Sequence, residues 1–319
     1  MAVLPKSGWF VALACTLGLT GSIVARPTSQ LLASDWRSSQ VRRASALEAV
    51  VYRKVKLGRQ TCHVVEVDLS NPHVRLQVLR ARDLGTRYRT FGSFVRQSKP
   101  LAAITGTFFD TATGTIICNL VRGGQLMEAG QVGHTLSLDE SNRPSWMRTA
   151  GSPGTALNWG NSDFAVSSGP TLVRQGRLAL NPRAEGFRDP GLFRKASRTG
   201  VATTAQGKLL LVTVNQPVSL KRFAEMMKAL GAQDALNLDG GSSTALYARG
   251  RYLSRPGRRL TNVVLVTVRP GDPVPEEIGL EAMEAEESLG EPTFDFEPEP
   301  GTEPEGLAPA PERVELPEL

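Results

Sequence analysis

From Leu47 to Val268 the chain is a succession of short β-rich runs broken by Gly, Pro and Asn. Only two stretches carry helical spacing. Phe91, Phe94 and Val95 mark a short segment ending near Lys99-Pro100. Phe223, Met226, Met227 and Leu230 repeat at i, i+3, i+4 and i+7, with Ser219 placed to cap the helix and Gly231 to close it. Strands outnumber helices and most links have hairpin character. The pattern predicts an α+β fold: a single large domain over residues 46–270, built on a mixed, mostly antiparallel β-sheet with few helices.

The alternation in His63–Leu69 and His73–Leu79, around Ser70-Asn71-Pro72, predicts a hairpin or two adjacent strands. Leu101–Ile104, Thr115–Val121, His134–Leu138, Phe164–Ser167, Thr171–Arg174 and Gly200–Thr204 supply further strands. Lys208–Val214 follows, and Pro217 is expected to break the chain before the second helix. Ala235–Leu238, Thr244–Ala248 and Val263–Val268 complete the series.

Charge divides the molecule in a way its net value of +6 conceals. Residues 271–319 hold 16 acids, one base and nine prolines, while residues 26–270 hold 35 bases and 15 acids, about +20. The tail cannot bury enough apolar surface to fold alone and reads as a disordered acidic Pro/Glu-rich segment. Residues 1–25 carry Lys6 and then an uncharged, largely apolar run, Ser7–Ala25, that ends in small residues before Arg26-Pro27. That is a signal peptide or an uncleaved signal anchor, so the protein is expected to be exported, periplasmic or extracellular, with residues 7–25 able to hold it at a membrane. Residues 26–45 read as a linker. Cys62 and Cys118 would pair only with Cα atoms within about 7 Å, and read more simply as two separate small apolar residues.

The chemistry-bearing run is Leu236-Asn237-Leu238-Asp239-Gly240-Gly241-Ser242-Ser243-Thr244. In a strand, Leu236 and Leu238 face one side, and Asn237 and Asp239 the other. Gly240-Gly241 allows a sharp turn and a close approach of backbone N–H groups to a ligand, and the hydroxyls add donors. The same tripeptide elsewhere often serves only its own turn. Thr105-Gly106-Thr107-Phe108-Phe109-Asp110 repeats the arrangement, with a second carboxylate and aromatics suited either to a sugar face or to the core. Arg198, with Thr199 and Gly200, offers a planar cation for phosphate, and Ser168-Gly169-Pro170 is a tight turn. His134 is a candidate substrate contact; His63 and His73 read as packed or surface imidazoles. No transition-metal cluster is visible and no cofactor is implied, while an oxygen-ligated Ca²⁺ at Asp239 or Asp110 stays open.

Together, Thr105–Asp110, Ser168-Gly169-Pro170, Ser197-Arg198-Thr199-Gly200 and Ala235–Thr244 resemble, in order and spacing, the phosphodiester glycosidase domain family. The resemblance covers about Leu101–Val268. Members commonly carry Asn where this chain has Thr105, a departure that bears on sugar preference. The resemblance implies hydrolysis of the bond between an anomeric carbon and a phosphodiester oxygen, on an N-acetylglucosamine-type or envelope-glycan substrate. It implies Asp239 as nucleophile or base, Asn237 orienting it or binding sugar hydroxyls, and Asp110 as second carboxylate or sugar ligand. Arg198 and the turn Gly240, Gly241, Ser242 and Ser243 would hold the phosphate, with Thr105, Gly106, Thr107, Gly169 and Thr199 lining the substrate. The alternative is a non-catalytic binder of anionic envelope polysaccharide. Nucleic acid is not an expected partner: export, and the lack of a basic helix or a stacking platform, argue against it.

Overall fold

The computed structural model describes residues 40–269. The export segment, most of the expected linker and the acidic tail lie outside the described residues. Strands are numbered in chain order. A seven-stranded sheet runs β1 (Val50–Leu57), β2 (Gln60–Asp68), β13 (Lys208–Val218), β12 (Ala196–Thr204), β14 (Ala232–Asn237), β10 (Thr171–Arg174), β11 (Arg177–Leu178). A second sheet has the order β16 (Arg251–Ser254), β15 (Leu246–Ala248), β4 (Ala102–Thr105), β17 (Asn262–Val268), β3 (Val74–Arg80). The third runs β6 (Gln125–Glu128), β5 (Leu120–Arg122), β9 (Phe164–Ser168), β7 (His134–Leu138), β8 (Pro144–Arg148). Every strand pairing among the described residues is antiparallel. This is the mostly antiparallel, helix-poor architecture that the pattern predicts, divided over three sheets.

The middle strands of each sheet are buried on both faces. In β13, Leu209 and Leu211 enter a core shared by all three sheets. Leu210, Val212 and Val214 face the opposite way, against Phe223, Met226 and Met227 of α4 (Leu220–Ala229). Ser219 Oγ accepts the Arg222 N–H at the start of α4, and Gly231 follows its end at φ 91°. In β17, Val264 and Val266 point into the shared core, while Val263 and Leu265 lie under Phe94 of α2 (Phe91–Ser98). Trp159 covers Val121 and Ala165 of the third sheet. Each such side chain contributes about 1.5–3 kcal/mol relative to exposure, which holds strands too short to persist alone.

Several sequence expectations need correction. β2 and β3 do not pair with each other: Val65 and Val67 face the shared core from one sheet, Val74 and Leu76 from another, and Ser70-Asn71-Pro72 carries the chain between them. Pro217 does not end β13. It falls past the last β2 partner and within the irregular register between Ala196 and Arg198, so no ladder bond is lost. Residues 40–48 form a helix, α1, overlapping the expected linker; Ala46 is fully buried, and the Ser45 carbonyl accepts from the Asn71 side chain. Of Thr115–Val121 only the end is strand, with Ile116 bridged to Phe109. Cys62 and Cys118, in contrast, are as the simpler reading has them, free and buried, and burial pushes their thiols up to about 11 and about 12.

Candidate active site

β4 and β14 belong to different sheets, yet their ends are joined through the main chain. The Asp239 N–H donates to the Gly106 carbonyl at 3.1 Å. On the β12 side of β14 the Leu238 N–H donates to Thr199 O at 2.8 Å, and on the β10 side the Asn237 N–H donates to Pro170 O at 3.1 Å. Four segments distant in sequence therefore meet around Asp239. Thr105 ends β4, 1% exposed, its N–H bonded to Ala245 O at 3.2 Å. Gly106 must lack a side chain, because a Cβ there would sit 1.9 Å from Asn262 Oδ1. That amide clamps the next residue: Oδ1 accepts the Thr107 N–H at 2.8 Å and Nδ2 donates to Thr107 O at 3.0 Å.

Asp239 is 6% exposed. Its Oδ1 accepts the Gly240 N–H at 2.9 Å, and its Oδ2 accepts from Arg258 Nη2 at 3.0 Å. Arg258 also donates from Nε to Ser243 Oγ at 2.6 Å, and its guanidinium lies 4.7 Å over the Phe109 ring. Burial pushes the Asp239 carboxyl above the ordinary aspartate range, against the pull of Ser243, Arg258 and the Gly240 amide. The pair is asymmetric: the carboxylate is dry, while the Arg258 side chain is 31% exposed. Gly240 passes close to the backbone of β12, where a Cβ would meet Ser197 O at 2.9 Å. Gly241 turns at φ 58°, its carbonyl held by Ser197 Oγ, and Ser242 is exposed with its carbonyl bonded to the Gly257 N–H.

Asn237 is buried beside this carboxylate segment. Its Nδ2 donates to Gly169 O at 3.2 Å and Leu238 O at 2.8 Å, but its Oδ1 has no partner among the described residues. The buried hydroxyls of Thr199 and Ser168 are also unpartnered there. Three unspent polar atoms in one junction is unusual for a packed interior, where such groups are nearly all bonded. Gly169 lies where a Cβ would meet Phe187 at 2.8 Å, and Phe108 packs edge-on against Phe187. Phe108 thus takes the core role and Phe109 the open face.

Two expected residues sit elsewhere. Arg198 is 3% exposed and spends its guanidinium on the carbonyls of Val218, Arg194 and Leu192, the last in α3 (Pro190–Phe193). It fastens the loop before β12 and is not directed at Asp239. Asp110 is exposed, and its carboxylate accepts the Ala112 and Thr113 N–H groups, which hold it below the usual range. It shapes a turn. His134 pairs through Nδ1 with Glu185 Oε2 at 3.2 Å and with the Thr171 hydroxyl at 2.9 Å. Glu185, 2% exposed, also accepts the Thr171 N–H, fixing the chain just after Gly169-Pro170. No three His, Cys, Asp or Glu side chains gather to hold a metal among the described residues.

Sequence reasoning missed Arg258, Asn262 and Glu185. The available signal for Arg258 was its run, Arg255-Pro256-Gly257-Arg258-Arg259, a rigid turn carrying cations between two strands. Arg258 and Phe109 open on a groove of about 510 Å³ that also includes Tyr88, Thr111, Arg87 and Arg259.

Residues 98–267 match the family model of the phosphodiester glycosidases. No curated protein matches the chain. Two solved structures share the fold. A hypothetical protein from Synechocystis aligns with a TM-score of 0.59 at 17% identity, over 70% of this chain and 62% of its own length. The catalytic domain of zebrafish N-acetylglucosamine-1-phosphodiester alpha-N-acetylglucosaminidase, auto-inhibited by its pro-peptide, aligns with a TM-score of 0.57 at 20% identity, over 69% of this chain and 82% of its own.

Proposed function

Because the chain belongs to the phosphodiester glycosidase family, we propose that it hydrolyses a sugar-1-phosphodiester at Asp239, as an exported enzyme acting on N-acetylglucosamine-type or related envelope glycans. The observation that carries this reading is the dry Asp239 carboxylate bonded to a half-wet Arg258 at the rim of a basic groove. The reaction breaks the bond between the anomeric carbon and a phosphate oxygen. Water supplies the hydroxyl to that carbon, the phosphate monoester leaves with the bonding pair, and the proton passes to solvent. Such a leaving group departs readily, so the protein must chiefly stabilise the positive centre and hold the negative group.

Asp239 meets the first need, either attacking the anomeric carbon or drawing a proton from water. Retention or inversion at the released sugar distinguishes the two. Arg258 meets the second, and replaces Arg198 in that role. Its Phe109 stack and its bond to Ser243 fix the guanidinium plane, so the charge needs no reorganisation as the phosphate departs. The unspent atoms of Asn237, Thr199 and Ser168 are buried in the junction that also holds Gly169 and Thr105, so a sugar hydroxyl would reach them only by displacing the groups that cover them.

Release of N-acetylglucosamine and a phosphate monoester from a glycerol-type N-acetylglucosamine-1-phosphodiester tests this with the full chain. No release from a panel of sugar-1-phosphodiesters, with glycan binding retained, would leave a binder. Arg258→Gln is expected to lower kcat/KM by about 10²-fold, the scale on which one pre-positioned donor counts. Arg258→Lys should recover little of it, since an ammonium cannot serve Asp239, Ser243 and the phosphate from one plane. An Arg258→Gln enzyme as fast as the parent would end the assignment.

A further inference from the structure

The groove beyond Arg258 is larger than one leaving phosphate requires. At about 510 Å³ it falls in the size range of sites that enclose whole small ligands, roughly 300–1,000 Å³. Its floor is aromatic: Tyr88 stands edge-on to Phe109 at 6.0 Å, and the Tyr88 hydroxyl donates to Thr111 O at 3.2 Å. Its walls carry Arg87 and Arg259. Neither has a hydrogen bond or ion pair among the described residues, whereas Arg53, Arg75, Arg80, Arg122 and Arg174 each have a carboxylate within 3.2 Å.

An unpaired surface arginine is ordinarily just solvated, but Arg87 is placed by the backbone beneath it. Gly114, at φ 73°, lets the loop after Asp110 pass under Arg87 and Tyr88. A Cβ there would lie 2.7 Å from Arg87 Cγ and 2.9 Å from the Tyr88 hydroxyl. Asp110 itself is turned onto its own loop amides and does not neutralise the groove. Arg258, with one edge committed to Asp239 and Ser243, marks the inner end; Arg87 and Arg259 lie further out.

We infer that the groove binds a second phosphate, carried by the part of the substrate that leaves, so that the preferred substrate is an oligomer of repeated sugar phosphodiesters and not a single one. The inference rests on the hydrolytic reading for its position next to the scissile bond. The aromatic floor takes the apolar face of the linking unit, and Arg87 and Arg259 take the next phosphate through paired N–H donors.

Two probes separate this inference from the reading beneath it. The first pair of substrates is N-acetylglucosamine-1-phosphoglycerol and the same ester bearing a further phosphate on the glycerol. The full chain should prefer the second by at least about tenfold in kcat/KM, as expected of charge-assisted hydrogen bonds to one phosphate. In Arg87→Gln/Arg259→Gln the preference should fall to near one. A glycerol-phosphate trimer, which has no anomeric bond, reads the groove without turnover. Its binding by calorimetry should weaken at least about tenfold in the double variant and with rising salt. Trimer binding in the absence of any hydrolysis would sustain the groove and sink only the reaction. Equal trimer binding by parent and variant overturns the inference, as does a trigalacturonate bound as tightly and lost equally, which would make the groove a general anion site. Both side chains are exposed and unpartnered, so the variant should melt within about 2 °C of the parent.

Discussion

Asp239→Asn is expected to reduce sugar release by about 10³-fold, within the range seen when a positioned acid–base group is removed. Asn keeps the shape but has one acceptor oxygen where Asp239 uses two, for Gly240 and Arg258, so the loss would combine the missing charge with one hydrogen bond. The parent's pH profile carries a second signature. Burial raises the Asp239 pKa, so the acid limb of kcat/KM should lie above the ordinary aspartate value of about 3.9. Activity should disappear as pH falls through that limb. Stability moves the other way. The folded chain holds this proton more firmly than the unfolded one, so the group's contribution is present below the unfolded pKa and is lost as pH rises through the folded one. Asn carries no such penalty, and the half-exposed Arg258 can turn to water. Asp239→Asn should therefore melt no lower than the parent at neutral pH, with the gap closing on acidification. An acid limb unmoved from 3.9, or a variant keeping a tenth of the activity, would take Asp239 out of the chemistry.

The largest stability effect is expected from Gly106→Ala. The new methyl group would meet Asn262 Oδ1 at 1.9 Å, and the amide cannot retreat without releasing both bonds to Thr107. Overpacking and two lost buried hydrogen bonds together cost about 3 kcal/mol, or roughly 6–12 °C in melting temperature for a domain of this size. Sugar release should fall as well, because the Gly106 carbonyl holds the Asp239 N–H. Gly257→Ala is the neighbouring control. Its Cβ would meet nothing nearer than Ser242 Cβ at 3.8 Å, so it should change stability by less than about 0.5 kcal/mol. Equal melting of the two variants would contradict the close packing at Gly106.

Short apolar runs bounded by turn residues made the central core strands legible, and alternation did so for His63–Leu69 and His73–Leu79. Leu209 to Val214 and Val263 to Val268 each divide between two apolar layers, so both read as continuous apolar runs. Among the strands left unread, Val50–Leu57 carries three cations in eight residues, and Arg177–Leu178 is too short to show a period. Sheet membership was not legible, because alternation tells a strand that it has an inside but not which sheet it faces from, as β2 and β3 demonstrate. In the candidate site, Asp239, Asn237 and Gly106 could be read from local turn chemistry. Arg258 and Glu185 could not, since their partners lie 19 and 14 residues away and only folding brings them together. Arg198 misled because a cation beside a motif looks the same in sequence whether it faces a ligand or three carbonyls.

The bond from the Asp239 amide to Gly106 has a kinetic consequence. It stitches one sheet to another just past the ends of β4 and β14, so that proton is expected to exchange with solvent only when this junction opens. The candidate carboxylate is thereby tied to the main chain of both sheets, while Arg87 and Arg259 are exposed on the loops that line the groove. A change of specificity would accordingly be expected first in what the groove admits, with the carboxylate held by the main chain at the junction of two sheets.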